Sequence, residues 1–206
     1  MKKTFITLSI LVLLSILGVT IFFWLLASPM SWYNNSRANI NSEGVAEQAE
    51  FRLVEEFHKV REVDEVWKLR IQDKAVNAWL THRFEDWLTH EDSMSLPEGM
   101  SSPLLRTTTD GIWLGIVGTY AEGDQPVAVQ CQAVIEGGKL LLTPQRLRLG
   151  KLPLPLSFLE SMVDEQTNVS LELNLQIELM DERFVTIQAL KLEDGAIILT
   201  CKTALP

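Results

Sequence analysis

The chain has 206 residues, 47% of them hydrophobic, and carries 18 Lys and Arg against 27 Asp and Glu, a formal net charge of −9. So acidic a balance, with no basic cluster beyond Arg146, Arg148 and Lys151, argues against nucleic acid as a partner, because proteins that track phosphates concentrate Lys and Arg. The two cysteines form neither a CxxC pair nor a metal-ligand spacing, which disfavours dithiol redox catalysis and structural zinc.

Thr4 to Ala27 is a run of 24 residues without a charged side chain, directly after Lys2 and Lys3. As a helix it reaches ~36 Å at ~1.5 Å per residue, enough to cross a hydrocarbon core of ~30 Å. The competing reading is a cleavable secretory signal, which needs a shorter apolar region and a small-x-small site; Leu25 and Ala27 before Ser28 match that poorly. Residues 1–27 are therefore read as a cytoplasmic start and a transmembrane anchor that contacts the lipid bilayer through residues 4–27. Lys2 and Lys3 flank one end, and Arg37 is the first charge beyond the other. That asymmetry keeps the N-terminus in the cytoplasm and makes the rest extracytoplasmic. Phe22, Phe23, Trp24, Trp32 and Tyr33 fall where an interfacial aromatic belt belongs.

The remaining 179 residues hold 16 basic and all 27 acidic residues, a net charge of −11, and suit one domain by length. Residues 28–43, rich in Ser and Asn without a sustained period, read as a linker, and residues 44–206 as an exported α+β domain. Ala46, Ala49, Leu53, Phe57 and Val60 recur at three- and four-residue spacings, predicting an amphipathic helix over Val45 to Val60. Trp67, Leu69 and Ile71 alternate with charged neighbours in a short strand within Val63 to Ile71. From Asp73, a candidate cap, to about His90, the residues Val76, Trp79, Leu80, Phe84, Trp87 and Leu88 repeat with helical spacing. Its large rings suggest that this helix fills the core beneath a sheet.

The Ser-, Pro- and Gly-containing stretch Glu91 to Pro103 reads as a loop. Period-two segments then predict a meander of strands at Gly111 to Tyr120, Val127 to Ile135 and Lys139 to Leu149, with turns at Glu122 to Pro126 and Glu136-Gly137-Gly138. Pro153 and Pro155 interrupt the pattern, and a short helix begun by Pro155 follows, built on Leu156, Phe158, Leu159, Met162 and Val163. Val169 to Leu179 alternates apolar and polar residues without an error, the strongest strand pattern in the chain. Strands at Phe184 to Leu192 and Ala196 to Thr203 are joined by Glu193-Asp194-Gly195. Cys131 and Cys201 both fall on the apolar sides of their strands; a disulfide and two buried free thiols fit that placement equally.

Few side chains suggest chemistry. His82, Asp86 and His90 recur every four residues, but on one helix the two histidines stand about 12 Å apart along the axis and cannot share an ion. A solvated helix face accounts for them together with Arg83, Glu85 and Glu91. Glu55 with Glu56 and Asp64 with Glu65 read as solvated charge. No nucleophile motif, HExxH or Gly-rich phosphate loop is present. The segment Gly150 to Leu159 (GKLPLPLSFL) sets two prolines among apolar side chains; it either closes one end of the core or forms an apolar patch for a lipid, a partner or the bilayer.

Asn77-Ala78-Trp79-Leu80, Arg148 to Pro155 (RLGKLPLP) and Glu193-Asp194-Gly195 resemble the YpmS-like group of single-pass bacterial envelope proteins over roughly Asp73 to Thr200. The resemblance implies the same topology and an α+β domain, and supplies no reaction. In plan, a long helix wrapped by a curved antiparallel sheet is similar to tubular extracytoplasmic lipid-binding folds, a likeness of fold alone.

The expected architecture is α+β: an N-terminal transmembrane helix, then one domain with a curved antiparallel sheet packed on one or two helices. The sequence identifies no catalytic residue, no metal ligand set and no cofactor motif, and it leaves ligand-binding residues unassigned. The expected function is a membrane-anchored extracytoplasmic module, non-enzymatic, that binds a lipid-like or other apolar ligand. The alternative is a structural or scaffolding subunit that docks an envelope protein.

Overall fold

The computed structural model describes residues 2–38, 43–90, 96, 99–120, 123–160, 171–179 and 183–204. Helix α1 spans Lys2–Ala27. From Ile10 to Trp24 its large apolar side chains are exposed, so it projects away from the domain, and it is long and apolar enough to cross a membrane. Pro29 has no N–H to donate and disfavours helix at Ser28; the helix accordingly stops there, with the Ser28 N–H still bonded to the Trp24 carbonyl at 3.0 Å.

The stretch expected to be a linker is largely folded. Ser31–Ala38 forms helix α2, and Met30, Trp32 and Tyr33 join Leu104, Trp113, Val117 and Ala128 in a buried apolar cluster, one of two among the described residues. Tyr33 is only 1% exposed, and its hydroxyl donates to the Ser102 carbonyl at 2.5 Å. The aromatic pair that suggested an interfacial belt therefore fills the core instead, because burying two rings outweighs leaving them at the membrane surface.

Helix α3, Glu43–His58, matches the predicted amphipathic helix to within two residues at each end. Strand β1, Val66–Gln72, leads into helix α4, Asp73–His82, which breaks at Arg83 before helix α5, Phe84–His90. The long helix of the sequence reading is thus two short ones, and the comparison with a helix wrapped by a sheet fails with it. Trp79, Phe84 and Trp87 pack against one another at centroid distances of 6.0 to 6.3 Å. Trp87 stays 45% exposed, so this cluster is not the filler of the core.

The remaining strands are β2 Met100–Thr108, β3 Gly111–Tyr120, β4 Gly123–Glu136, β5 Lys139–Leu149, β6 Leu152–Leu154, β7 Leu171–Asn174, β8 Gln176–Glu178, β9 Phe184–Glu193 and β10 Ala196–Ala204, with helix α6 at Ser157–Glu160. They form two antiparallel sheets rather than one: β1-β10-β9-β8, and β2-β3-β4-β5-β6 with β7 also pairing with β5. The unbroken alternation around Leu171 to Glu178 hides a switch. At Leu175, which is 4% exposed, the chain leaves β5 and joins β9 in the other sheet. Strand β2 occupies part of the expected loop, and Pro103 sits inside its register shift, where a missing N–H is tolerated. The expected helix beyond Glu160 falls outside the described residues.

Asp73 does not cap α4; Gln72 holds that position. The Asp73 carboxylate instead accepts from the Thr107 N–H and hydroxyl, both at 2.6 Å. One turn on, Asn77 donates to the Leu105 carbonyl at 2.8 Å and accepts from the Leu105 N–H at 2.6 Å. The Gly195 N–H donates to the Thr107 carbonyl at 3.1 Å. Together these contacts satisfy the outward backbone groups of Leu105 and Thr107 on edge strand β2, which would otherwise invite pairing with another chain. Replacing Asn77, 3% exposed, with Leu strands one donor and one acceptor. The expected loss is about 2–4 kcal/mol, read as a lowered unfolding midpoint; an unchanged midpoint would refute this account of the edge.

The second buried cluster joins Trp67, Leu69, Val185 and Cys201, with Phe57 of α3 packed on it. Cys131 and Cys201 are buried free thiols in different sheets. Burial pushes the Cys201 thiol up from 9.0 to about 11, against a smaller opposing effect of Arg61. A raised folded value means that the folded state holds the proton more tightly, so this contribution is full below about pH 9 and disappears as pH rises through about 11. Denaturant midpoints should therefore fall between pH 9 and pH 11, and more steeply in the parent than in a Cys201→Ala variant. Identical slopes would count against this assignment.

Candidate functional site

The pairing registers of the larger sheet bring apolar residues of separate strands into line. Leu105, Leu114, Val129, Leu147 and Leu154 are directly paired across five strands. Two residues along, Ile116, Val127, Leu149 and Leu152 form a second row. Directly paired residues project from the same face of a sheet, so these nine side chains make one surface without a charge. Only Leu147 among them is buried; Leu114 is exposed and the others are half-buried.

The opposite face carries the packed cluster of Leu104, Trp113, Val117 and Ala128 under α2. Gly115, between Trp113 and Val117 on β3, lets the aromatic pair approach; a Cβ there would lie 2.8 Å from the Trp32 ring and 2.9 Å from the Tyr33 ring. The sheet thus has one face closed by its own chain and one left open among the described residues. On this face Leu147 is buried within the first row, and Thr107, Ile112 and Cys131 are buried at one end, where the β9–β10 hairpin meets β2 through Gly195 and Thr107.

The other end of this face lies at the terminus of α1. The Lys151 N–H donates to the Leu25 carbonyl at 3.0 Å, and the Gly150 N–H to Pro126 at 2.7 Å. Gly150 has φ +57, and a Cβ on it would stand 2.3 Å from the Leu26 carbonyl oxygen and 2.8 Å from those of Leu25 and Ser28. The Lys151 ammonium sits 5.0 Å from the centroid of the Trp24 ring. A cation and an N–H donor here suit the negative end of the helix dipole. Of the two readings of the proline-bracketed segment, core closure does not hold, because the segment lies at the edge of the sheet and is partly exposed. Leu152–Leu154 is the edge strand β6, Pro153, Pro155 and Phe158 are exposed, and Leu156 is half-buried.

Other residues singled out in the sequence are dispersed. His82 ends α4 while Asp86 and His90 belong to α5, and among the described residues no group of three or more His, Cys, Asp or Glu is arranged to hold a metal ion. Glu56 pairs with Lys59 at 2.5 Å and Arg61 at 2.8 Å, and the Lys59 hydrogen bond, above all, holds its carboxyl below the usual carboxylate range. Asp64 pairs with Lys202 at 2.6 Å. Arg148 lies over the Trp113 ring at 5.2 Å. Compared with known proteins, the chain matches no family model and no curated sequence.

Proposed function

We propose that this chain is a single-pass membrane protein with a cytoplasmic N-terminus, whose extracytoplasmic domain binds the acyl part of a lipid-like ligand on the open face of the larger sheet. The two uncharged cross-strand rows carry the reading. Leaving such surface in water forgoes roughly 25 cal/mol per Å², and contiguous exposed apolar patches mark sites of interaction. Because the rows run out to β6 beside the end of α1, the apolar molecule nearest to hand is a membrane lipid. The role is one of holding rather than transforming, since no acid, base or nucleophile lies within the rows. The topology is that implied by the resemblance to the YpmS-like group.

A phospholipid carrying a diazirine near one acyl terminus, mixed into vesicles that hold the full chain, tests the reading. Irradiation should leave adducts on β3 and β4 around Leu114 and Val129 as well as on α1. A Leu114→Arg variant should lose the β3 and β4 adducts and keep those on α1. Adducts confined to α1 in the parent would sink the proposal. The scaffolding alternative draws on a different surface: Phe51 and Val54 of α3 are 70% and 53% exposed. Stoichiometric co-purification of an envelope protein, abolished by Phe51→Glu, would favour it.

A further inference from the structure

The position and charge of the β5–β6–α6 segment bear on how the domain meets lipid, at the edge where the apolar rows end in Leu152 and Leu154. In a chain with 27 acidic residues, Gly137 to Leu159 contains none; its Arg146, Arg148 and Lys151 lie toward the α1 end, while Lys139 pairs with Glu136 at the far end of β5. This region also holds the direct contact between the domain and α1, through Lys151 and Leu25. The last turn of α1, with Trp24 exposed beside the Lys151 ammonium, is where a transmembrane helix places its interfacial aromatic and cationic side chains. Whatever adjoins Gly150 is thereby held at headgroup level.

The residues that adjoin it suit that level. Beyond Lys151 come half-buried Leu152, Leu154 and Leu156, with exposed Phe158, an apolar group that begins at a cation and meets no acid before Glu160. Basic side chains are drawn to lipid phosphates, whereas the acidic remainder of the domain is not. The domain therefore has one end suited to a bilayer.

We infer that the β5–β6 turn and the segment through Phe158 rest in the headgroup region of the outer leaflet, with Lys151 at the phosphates and the Leu and Phe side chains at the acyl boundary. The occupant is the lipid surface around α1, and the inference rests on reading α1 as a transmembrane anchor. This contact fixes the orientation of the domain, and it brings the β6 end of the apolar rows to the level from which a lipid chain would leave the membrane.

The test uses the full chain in vesicles, with one introduced cysteine labelled by a fluorophore. Cys131 and Cys201 are 5% and 0% exposed, so labelling goes to the introduced site. Ser157→Cys reports the proposed surface, and Glu136→Cys reports the opposite end of β4. With the surface ~5–10 Å into the headgroup boundary, nitroxide-bearing lipids should remove about half or more of the emission at 157 and leave that at 136 unchanged. No quenching at 157, in vesicles from which carbonate fails to strip the chain, would overturn the inference and leave the anchor intact. Equal quenching at both positions would overturn it too, because the domain would then lie flat. A chain stripped by carbonate would refute the anchor reading, and this inference with it.

Discussion

Replacing Gly150 with Ala is expected to lower the stability of the domain by roughly 3 kcal/mol or more, and Gly137→Ala by about 1–2 kcal/mol. Both glycines sit in the left-handed region, at φ +57 and φ +58, so both variants carry the same backbone penalty. Their surroundings differ. Nothing lies within 4 Å of a Cβ at Gly137, whereas one at Gly150 would stand 2.3 Å from the Leu26 carbonyl oxygen. That oxygen is backbone at the end of a helix and cannot rotate aside, so relief requires the turn to leave α1. The Lys151 bond to Leu25 then goes as well, a further ~1 kcal/mol. Thermal unfolding in detergent reads the difference, since each kcal/mol moves the midpoint by about 2–4 °C at this chain length. Loss of amide protection at Lys151 should accompany the shift at Gly150 alone. Equal shifts in the two variants would show that the helix end does not bear on the turn.

Much of the fold is legible from period and turn chemistry. Strand β5 runs from Lys139 to Leu149 as the alternation requires, and Glu136 pairs with Lys139 across Gly137-Gly138. The exceptions have physical causes. Strand β2 was hidden by Pro103, which survives only because the register shifts there. The break between α4 and α5 leaves the three-and-four spacing intact and is marked by no Gly or Pro. The passage from β7 to β8 is invisible because the period-two alternation runs through it unbroken, although only Leu175 at the switch is buried while Leu173 and Ile177 on the same side are exposed. Residues 28–38 lack a period because helix α2 is shorter than three turns, yet the pair Trp32 and Tyr33 was a signal of burial.

The candidate site was less legible, for a reason that concerns register. Each strand shows its apolar side in the sequence, but the alignment of Leu105, Leu114, Val129, Leu147 and Leu154 into one row follows from four separate pairings. A slip of one residue in any of them would turn that strand over. Nor does alternation say which apolar face is covered. Gly115 carried that information: an isolated glycine in a strand marks the close approach of another group, here the two rings that close the opposite face.

Gly115→Val is accordingly expected to cost about 3 kcal/mol or more, above the usual range for one overpacked core site. Its Cβ alone would meet Trp32 at 2.8 Å and Tyr33 at 2.9 and 3.0 Å, and the Tyr33 ring is held in place by the bond from its hydroxyl to Ser102. Each ring buries on the order of 150 Å² or more, up to roughly 4 kcal/mol at ~25 cal/mol per Å² as an upper bound. Complete ejection of α2 would therefore cost more than a local backbone shift, and the sheet should yield first. The signature is a lower unfolding midpoint with altered near-ultraviolet circular dichroism. A double-mutant cycle locates the conflict: Trp32→Ala opens space, so the two changes together should fall short of additivity by about 1–3 kcal/mol. Strict additivity would mean that Gly115 does not face Trp32. The assignment of faces would then fail, and with it the argument that the Leu114 face is the one left for a ligand.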